Sequence, residues 1–335
     1  MKALVSVLIF AISLAGGAAL MSRVLPPVPV PQIAEKLAHF AAHRDDYDTL
    51  FIGSSRTFRQ IIPAIFDPLM AAGGQPSHSF NFGIDAMFSP EDAYVAEKIF
   101  ALRPKRLRRV FIEVCRFNYA FAAQPPETLR ARHWHDWGRT ALVCRYTLPF
   151  AKREKWRDAS RWANVWNHTR LFFARAVNLG EGARLLEPWR GVAPPDPAGM
   201  LGAHGDGAIP SDVETECAGE DRAKFDRAMA ALGAGGPGAR PLPTAPLQSL
   251  AETIDRVRGL GAEPVLFIAP MAVTVVNSPA GQIRAPILDF SDPRRWPALF
   301  DPANRSDYAH LNAPGARLFS RLFAEQVLAL PPGNR

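Results

Sequence analysis

Short apolar runs recur along the chain, each closed by a glycine, a proline or a polar residue. Leu50-Phe51-Ile52 stops at Gly53, and His78-Ser79-Phe80-Asn81-Phe82 stops at Gly83. Val110-Phe111-Ile112-Glu113-Val114-Cys115 follows a basic stretch, and Pro264-Val265-Leu266-Phe267-Ile268-Ala269-Pro270 comes much later. Runs of this length, bounded by turn formers, read as buried strands. Between them the spacing turns helical. A helix with a proline near its start is expected over about 58–72. Ala93, Val95, Ile99, Phe100 and Leu102, with Pro90 near the start, predict another over 90–103. Strand, helix, strand, helix, strand at this rhythm indicates a parallel sheet with covering helices, an α/β fold.

The rhythm then breaks. From about 119 to 190 the chain is rich in Trp and Arg and reads as inserted helices; from 191 to 246 glycine and proline dominate. One helical piece is expected near 219–232, and a loop of this length argues for an insertion or a flap over about 119–246. Core spacing returns with helices at about 247–260 and 313–329, the latter apolar at Leu318, Phe319, Leu322, Phe323 and Val327. Residues 284–306 look irregular.

The N-terminus has a pattern of its own. Ala3 to Met21 carries no charge over 19 mostly apolar positions, near the ~20 needed to span a bilayer. Ala15-Gly16-Gly17-Ala18-Ala19 supplies small residues that a signal peptidase accepts. Residues 1–23 therefore read as a membrane anchor, the preferred reading, or as a cleaved signal of a secreted form. With only Lys2 before the segment, the expected product is a single-pass protein of the cell membrane whose domain faces the periplasmic side. Residues 24–47 form a proline-rich spacer (Pro26–Pro31) and a short amphipathic helix, Ile33 to His43; the domain proper spans 48–330.

Composition narrows the picture. At 48% hydrophobic residues the chain is not disordered. Net charge is +7, from 39 Lys+Arg against 32 Asp+Glu, without a basic stripe interleaved with aromatics. The densest basic run, Lys105-Arg106-Leu107-Arg108-Arg109, precedes a strand and reads as a solvated loop, so no nucleic-acid partner is expected. Positive charge suits an anionic membrane or polysaccharide. Cys115, Cys144 and Cys217 are odd in number and make no disulfide framework. No Cys/His spacing suits zinc, so no metal and no cofactor are expected.

Two stretches carry candidate chemistry. In Gly53-Ser54-Ser55-Arg56-Thr57 a serine stands where a strand turns into a helix, over free backbone N–H groups that favour negative charge. A serine N-cap is the plainer alternative. In Asp307-Tyr308-Ala309-His310-Leu311-Asn312-Ala313-Pro314-Gly315 an Asp three residues before a His can fix the imidazole tautomer, as in a Ser-His-Asp triad. His133 and His135, beside Trp134 and Trp137, read as packing residues, with substrate contact the alternative.

These two stretches, with the glycine closing the second strand, resemble the SGNH (GDSL-like) hydrolase superfamily over about 48–118 and 247–330. The resemblance implies a three-layer sheet domain with a helical insertion. Ser55, two after the glycine, is then the nucleophile, with Ser54 the alternative; His310 is the general base and Asp307 orients it. Ser54 replaces the family's usual Asp, as in a Gly-Ser-Ser branch that includes the D-alanyl transfer proteins. Oxyanion donors implied are the N–H groups of Ser55 and of Gly83 in Asn81-Phe82-Gly83. The family's Gly-x-Asn-Asp motif is absent; Asn118 or Arg116 stands in its place, and Ser54 and Arg116 are candidate substrate contacts. The function implied is serine acyl-ester chemistry through an acyl-Ser55. Its setting is O-acyl (acetyl) transfer to, or removal from, an envelope or exported polysaccharide, between an acylated donor and a carbohydrate acceptor. A membrane-bound O-acyltransferase is the partner this implies. A simple secreted carboxylesterase and a non-catalytic scaffold remain the alternatives.

Overall fold

A computed structural model describes residues 2–24, 30–115, 128–147, 157–179, 181–186, 188–191 and 198–331. The chain begins with α1 (Lys2–Val24) and α2 (Pro31–His43), then β1 (Thr49–Gly53), α3 (Ser55–Gln60), α4 (Pro63–Ala72), β2 (Ser79–Gly83), α5 (Glu91–Ala101) and β3 (Arg109–Glu113). Helices α6 (Leu129–His133), α7 (Trp137–Thr147), α8 (Arg157–Ala176), α9 (Gly182–Leu185) and α10 (Ala198–Leu201) follow, then α11 (Gly219–Leu232) and β4 (Gly238–Pro241). The last stretch carries α12 (Thr244–Gly259), β5 (Glu263–Ile268), β6 (Val275–Ser278), β7 (Ile287–Asp289) and α13 (Ala313–Leu328). Two compact units result: Met1–Ala34 with Asn118–Asp196, and Glu35–Phe117 with Pro197–Arg335.

The second unit is α/β. Its sheet runs β2-β1-β3-β5-β7 with every pairing parallel. The chain moves outward one way from β1 to β2 and the other way from β3 onward, so the order reverses between β1 and β3. In open parallel sheets the crevice beyond the carboxyl ends at such a reversal is the natural binding position.

Helices cover both faces: α4 and α13 pack together on one, α5 and α12 on the other. Alternation along the strands divides their residues between these layers. Phe51, Phe111 and Phe267 belong to the core with Phe66, Phe290, Phe319 and Phe323, while Ile52 and Ile112 line the α5 and α12 side. The Phe323 ring lies 5.1 Å from that of Phe111 and 5.2 Å from that of Phe267, both edge-on, the favoured aromatic geometry. Phe323→Ala is expected to cost about 3–5 kcal/mol. The measurement is a lower denaturant midpoint at unchanged slope.

Four local readings change. The helix expected as one piece over 58–72 is two: α3 starts directly at Ser55, and Pro63 opens α4. Proline lacks an N–H and forces Ile62 to an extended backbone (φ −110°, ψ 102°), so the first helix cannot run on. The irregular stretch 284–306 contains β7, three residues paired to the edge of β5 and too short to leave a pattern. Val275–Ser278, outside the sheet, pairs in parallel with Gly238–Pro241. The stretch read as one insertion over 119–246 divides near 196. Its second part joins the sheet unit, where Phe225 and Leu232 of α11 pack with Cys217 and Ala272.

The first unit holds α1 and the helices α6 to α9. α1 buries none of its residues and is long and apolar enough to cross a membrane. His133 and His135 are buried, and His135 Nε2 lies 2.9 Å from His168 Nδ1. Most of the proline-rich spacer falls outside the described residues.

Candidate active site

β1 ends at Gly53, and the chain turns at once into α3. Ser54 is the N-cap, its Oγ accepting from the Arg56 N–H at 3.3 Å, and Ser55 is the first helical residue. At the other end of the chain, Asn312 caps α13 by accepting from the Gly315 N–H at 3.0 Å. Its amide also donates to the carbonyls of Thr215 and Ala303, which fixes the loop just before it.

That loop carries Asp307 and His310 to Ser55. Ser55 Oγ lies 2.9 Å from His310 Nε2, and His310 Nδ1 lies 2.8 Å from Asp307 Oδ2. The other Asp307 oxygen accepts from the backbone N–H groups of Ala309 (2.5 Å) and His310 (2.7 Å). With Nδ1 donating to the carboxylate, Nε2 is left to accept the serine proton. Burial pushes the Asp307 carboxyl up. The hydrogen bond and charge of His310, together with the two backbone donors, outweigh this and hold it below its usual value.

The turn at Ser54 and Ser55 has a floor that sequence reading missed. Glu113, the last residue of β3, is buried directly beneath it. One carboxylate oxygen accepts from the Ser54 N–H (2.7 Å) and the Thr57 hydroxyl (2.7 Å), and the other from Arg56 Nε (2.7 Å). Ser54 Oγ donates to the same group at 2.9 Å. Burial pushes this carboxyl up as well; the Arg56 charge and the Thr57 and Ser54 donors bring it below its ordinary value. Gly53 is glycine because Thr57 Oγ1 and Glu113 Oε2 occupy the space an added Cβ would need. The available signal was one carboxylate directly after the apolar run Val110-Phe111-Ile112.

This geometry corrects two expectations. Ser54 is neither a nucleophile nor a substrate contact, because it is buried and its hydroxyl is committed to Glu113. The Gly83 N–H is not an oxyanion donor, because it donates to Asn81 Oδ1 at 2.8 Å. Asn81 in turn donates to the carbonyls of Thr57 (2.8 Å) and Ile61 (2.7 Å), holding α3 against the sheet. Close packing explains the glycine, since a Cβ there would come within 2.3 Å of the Phe58 nitrogen. The Ser55 N–H opens α3 and has no intrahelical acceptor. Asn118 and Arg116 lie outside the described residues.

Two more buried cations brace the site. The Arg305 guanidinium donates to the carbonyls of Asp307, Tyr308, Pro270 and Leu299, between the rings of Phe225 and Phe300. Burial pushes its pKa down to about 10. Lys36 Nζ donates to the carbonyls of Asn81, Gly83 and Gly207, and burial holds it well below its ordinary value. Beside the loop of Asp307 and His310 runs an open groove lined by Tyr308, Ala272, Thr274, Lys224 and Arg227. The chain matches no protein-family model and has no significant match among curated proteins.

Proposed function

We propose that this chain is an extracytoplasmic serine acyl-ester enzyme working through an acyl-Ser55 intermediate. The observation that carries the reading is the unbroken hydrogen-bonded path from Ser55 Oγ through His310 to Asp307, built from residues 255 positions apart. An N-cap serine needs no such partner, and a surface histidine needs no carboxylate aligned behind it.

The chemistry follows from the atoms. Ser55 Oγ attacks the ester carbonyl while His310 Nε2 takes its proton, and the imidazolium returns that proton to the departing alcohol. The Ser55 N–H faces the developing oxyanion, a donor of the kind worth roughly 3–4 kcal/mol. Water or an acceptor hydroxyl then takes the acyl group, with His310 again as base. Asp307 holds the tautomer throughout.

The Gly-Ser-Ser turn, the Asp-x-x-His loop and the parallel sheet support an SGNH-type assignment in its anchored Gly-Ser-Ser branch. On that reading the acyl group is exchanged with an envelope or exported polysaccharide beside a membrane-bound O-acyltransferase. α1 is the anchor and the domain lies outside the cytoplasm. The open groove at Tyr308, with an aromatic ring and two cations, suits a carbohydrate acceptor.

A fluorophosphonate probe tests the nucleophile directly. The full-length protein should be labelled at Ser55; Ser55→Ala should abolish labelling and Ser54→Ala should retain it. Labelling that survives Ser55→Ala overturns the assignment. A folded protein that takes no label at all is the scaffold.

A further inference from the structure

Of the seven tryptophans, six lie between 134 and 189, and Trp296 alone lies outside that stretch. Four of them are exposed, 75% for Trp137, 61% for Trp162, 66% for Trp166 and 89% for Trp189, while Trp134 is buried. α8 is amphipathic in the reverse of the usual sense. Its inner face buries Asn164, Asn167 and His168 along with Leu171 and Ala174. Its outer face presents Trp162, Trp166, Arg170 and Phe173, at helical spacings of four, four and three. Large aromatics held outward while polar groups are held inward mark a surface that meets something apolar.

We propose that this face of α8 lies in the headgroup–acyl boundary of the membrane that α1 enters. Just beyond α8, Asn178 donates to the Ala18 carbonyl (2.7 Å) and to Ser22 Oγ (3.0 Å), so the end of α8 is held at the last turn of α1. That turn is where the uncharged stretch ends and Arg23 follows, which is the level of the boundary. α8 does not itself cross: Arg170, Arg175 and His168 interrupt it, and α1 is the one candidate span among the described residues.

Tryptophan is the side chain whose ring prefers that boundary, with an apolar body and an N–H that stays hydrated. A helix of 20 residues lying in the interface plane with Trp and Phe on one face is a recognised mode of peripheral attachment. The consequence is a second membrane contact besides α1. The inference rests on α1 being the anchor, and the experiment reads the two separately.

The test reconstitutes the full-length protein in phosphatidylethanolamine–phosphatidylglycerol vesicles, with lipids brominated either near the carbonyls or near the chain ends. Tryptophan fluorescence should fall strongly with the shallow bromines and less with the deep ones. Trp162→Phe/Trp166→Phe keeps the aromatic surface but removes two reporters, and should lose a large part of that quenching. A carbonate wash reports α1 alone, which contains no tryptophan. Protein that resists the wash yet shows no quenching would keep the anchor and overturn the inference, leaving a protein partner or a second copy to cover the face. Quenching unchanged in the double variant would also overturn it, by placing the lipid contact elsewhere. Protein stripped by the wash would remove the anchor.

Discussion

A His310→Ala variant is expected to lose turnover by about 10⁶-fold, the scale of a triad knockout. Asp307→Asn should lose about 10⁴-fold, because the amide stabilises the wrong imidazole tautomer. The double variant should be little worse than His310→Ala alone, since the two residues act as one unit. Thermal melting should barely move: the side chains are about a third exposed, 34% for His310 and 29% for Asp307, and neither belongs to the phenylalanine core. The Asp307 carboxyl is held below its usual value, so it remains ionised at neutral pH. Its orienting role should fade only as pH falls below the ordinary carboxylate range. Steady-state rates on an activated acetyl ester measure all three effects. Near-normal turnover in His310→Ala would sink the catalytic reading, and a variant that simply unfolds would make His310 a structural residue.

The second large effect belongs to Glu113. Replacing it by Gln leaves the Arg56 guanidinium, 11% exposed, without its counter-charge. It also turns one of the two acceptor oxygens into a donor, which must face either Arg56 Nε or the Ser54 N–H and Thr57 hydroxyl. Removing one partner of a buried ion pair costs about 3–5 kcal/mol. We therefore expect a clear loss in guanidinium unfolding together with a loss of fluorophosphonate labelling at Ser55, because the turn loses its floor. Glu113→Gln/Arg56→Met should recover part of the stability without recovering the labelling, since the stranded charge is gone but the turn rests on a neutral amide in place of its carboxylate and its ion pair.

The pH dependence has a definite sign. The folded carboxyl titrates below its ordinary 4.5, so the stabilisation from Glu113 is complete above that value. It disappears as pH falls through the lower folded value. An unchanged melting temperature in Glu113→Gln would show that the cradle contributes nothing.

Four of the five strands of the main sheet, most of the helices around them, the membrane-length N-terminal helix and the Ser55, Asp307, His310 set were legible in the chain. Each leaves a local trace: an apolar run stopped by glycine, a 19-residue uncharged stretch, a serine at a strand-to-helix turn, an Asp three before a His. Spacing along the chain is enough where the physics is local. Tertiary structure decided what depends on contacts between distant segments. Gly83 and Ser54 kept their places but lost their expected roles, because Asn81 and Glu113 had already taken their hydrogen bonds. Glu113, Lys36 and Arg305 gained roles that no spacing announces, since each serves carbonyls or donors brought to it by the fold. The sharing of 119–246 between two units was equally hidden. Composition marked it as unlike the sheet, but only packing shows that α11 covers Cys217 and Ala272 while α8 turns its tryptophans outward.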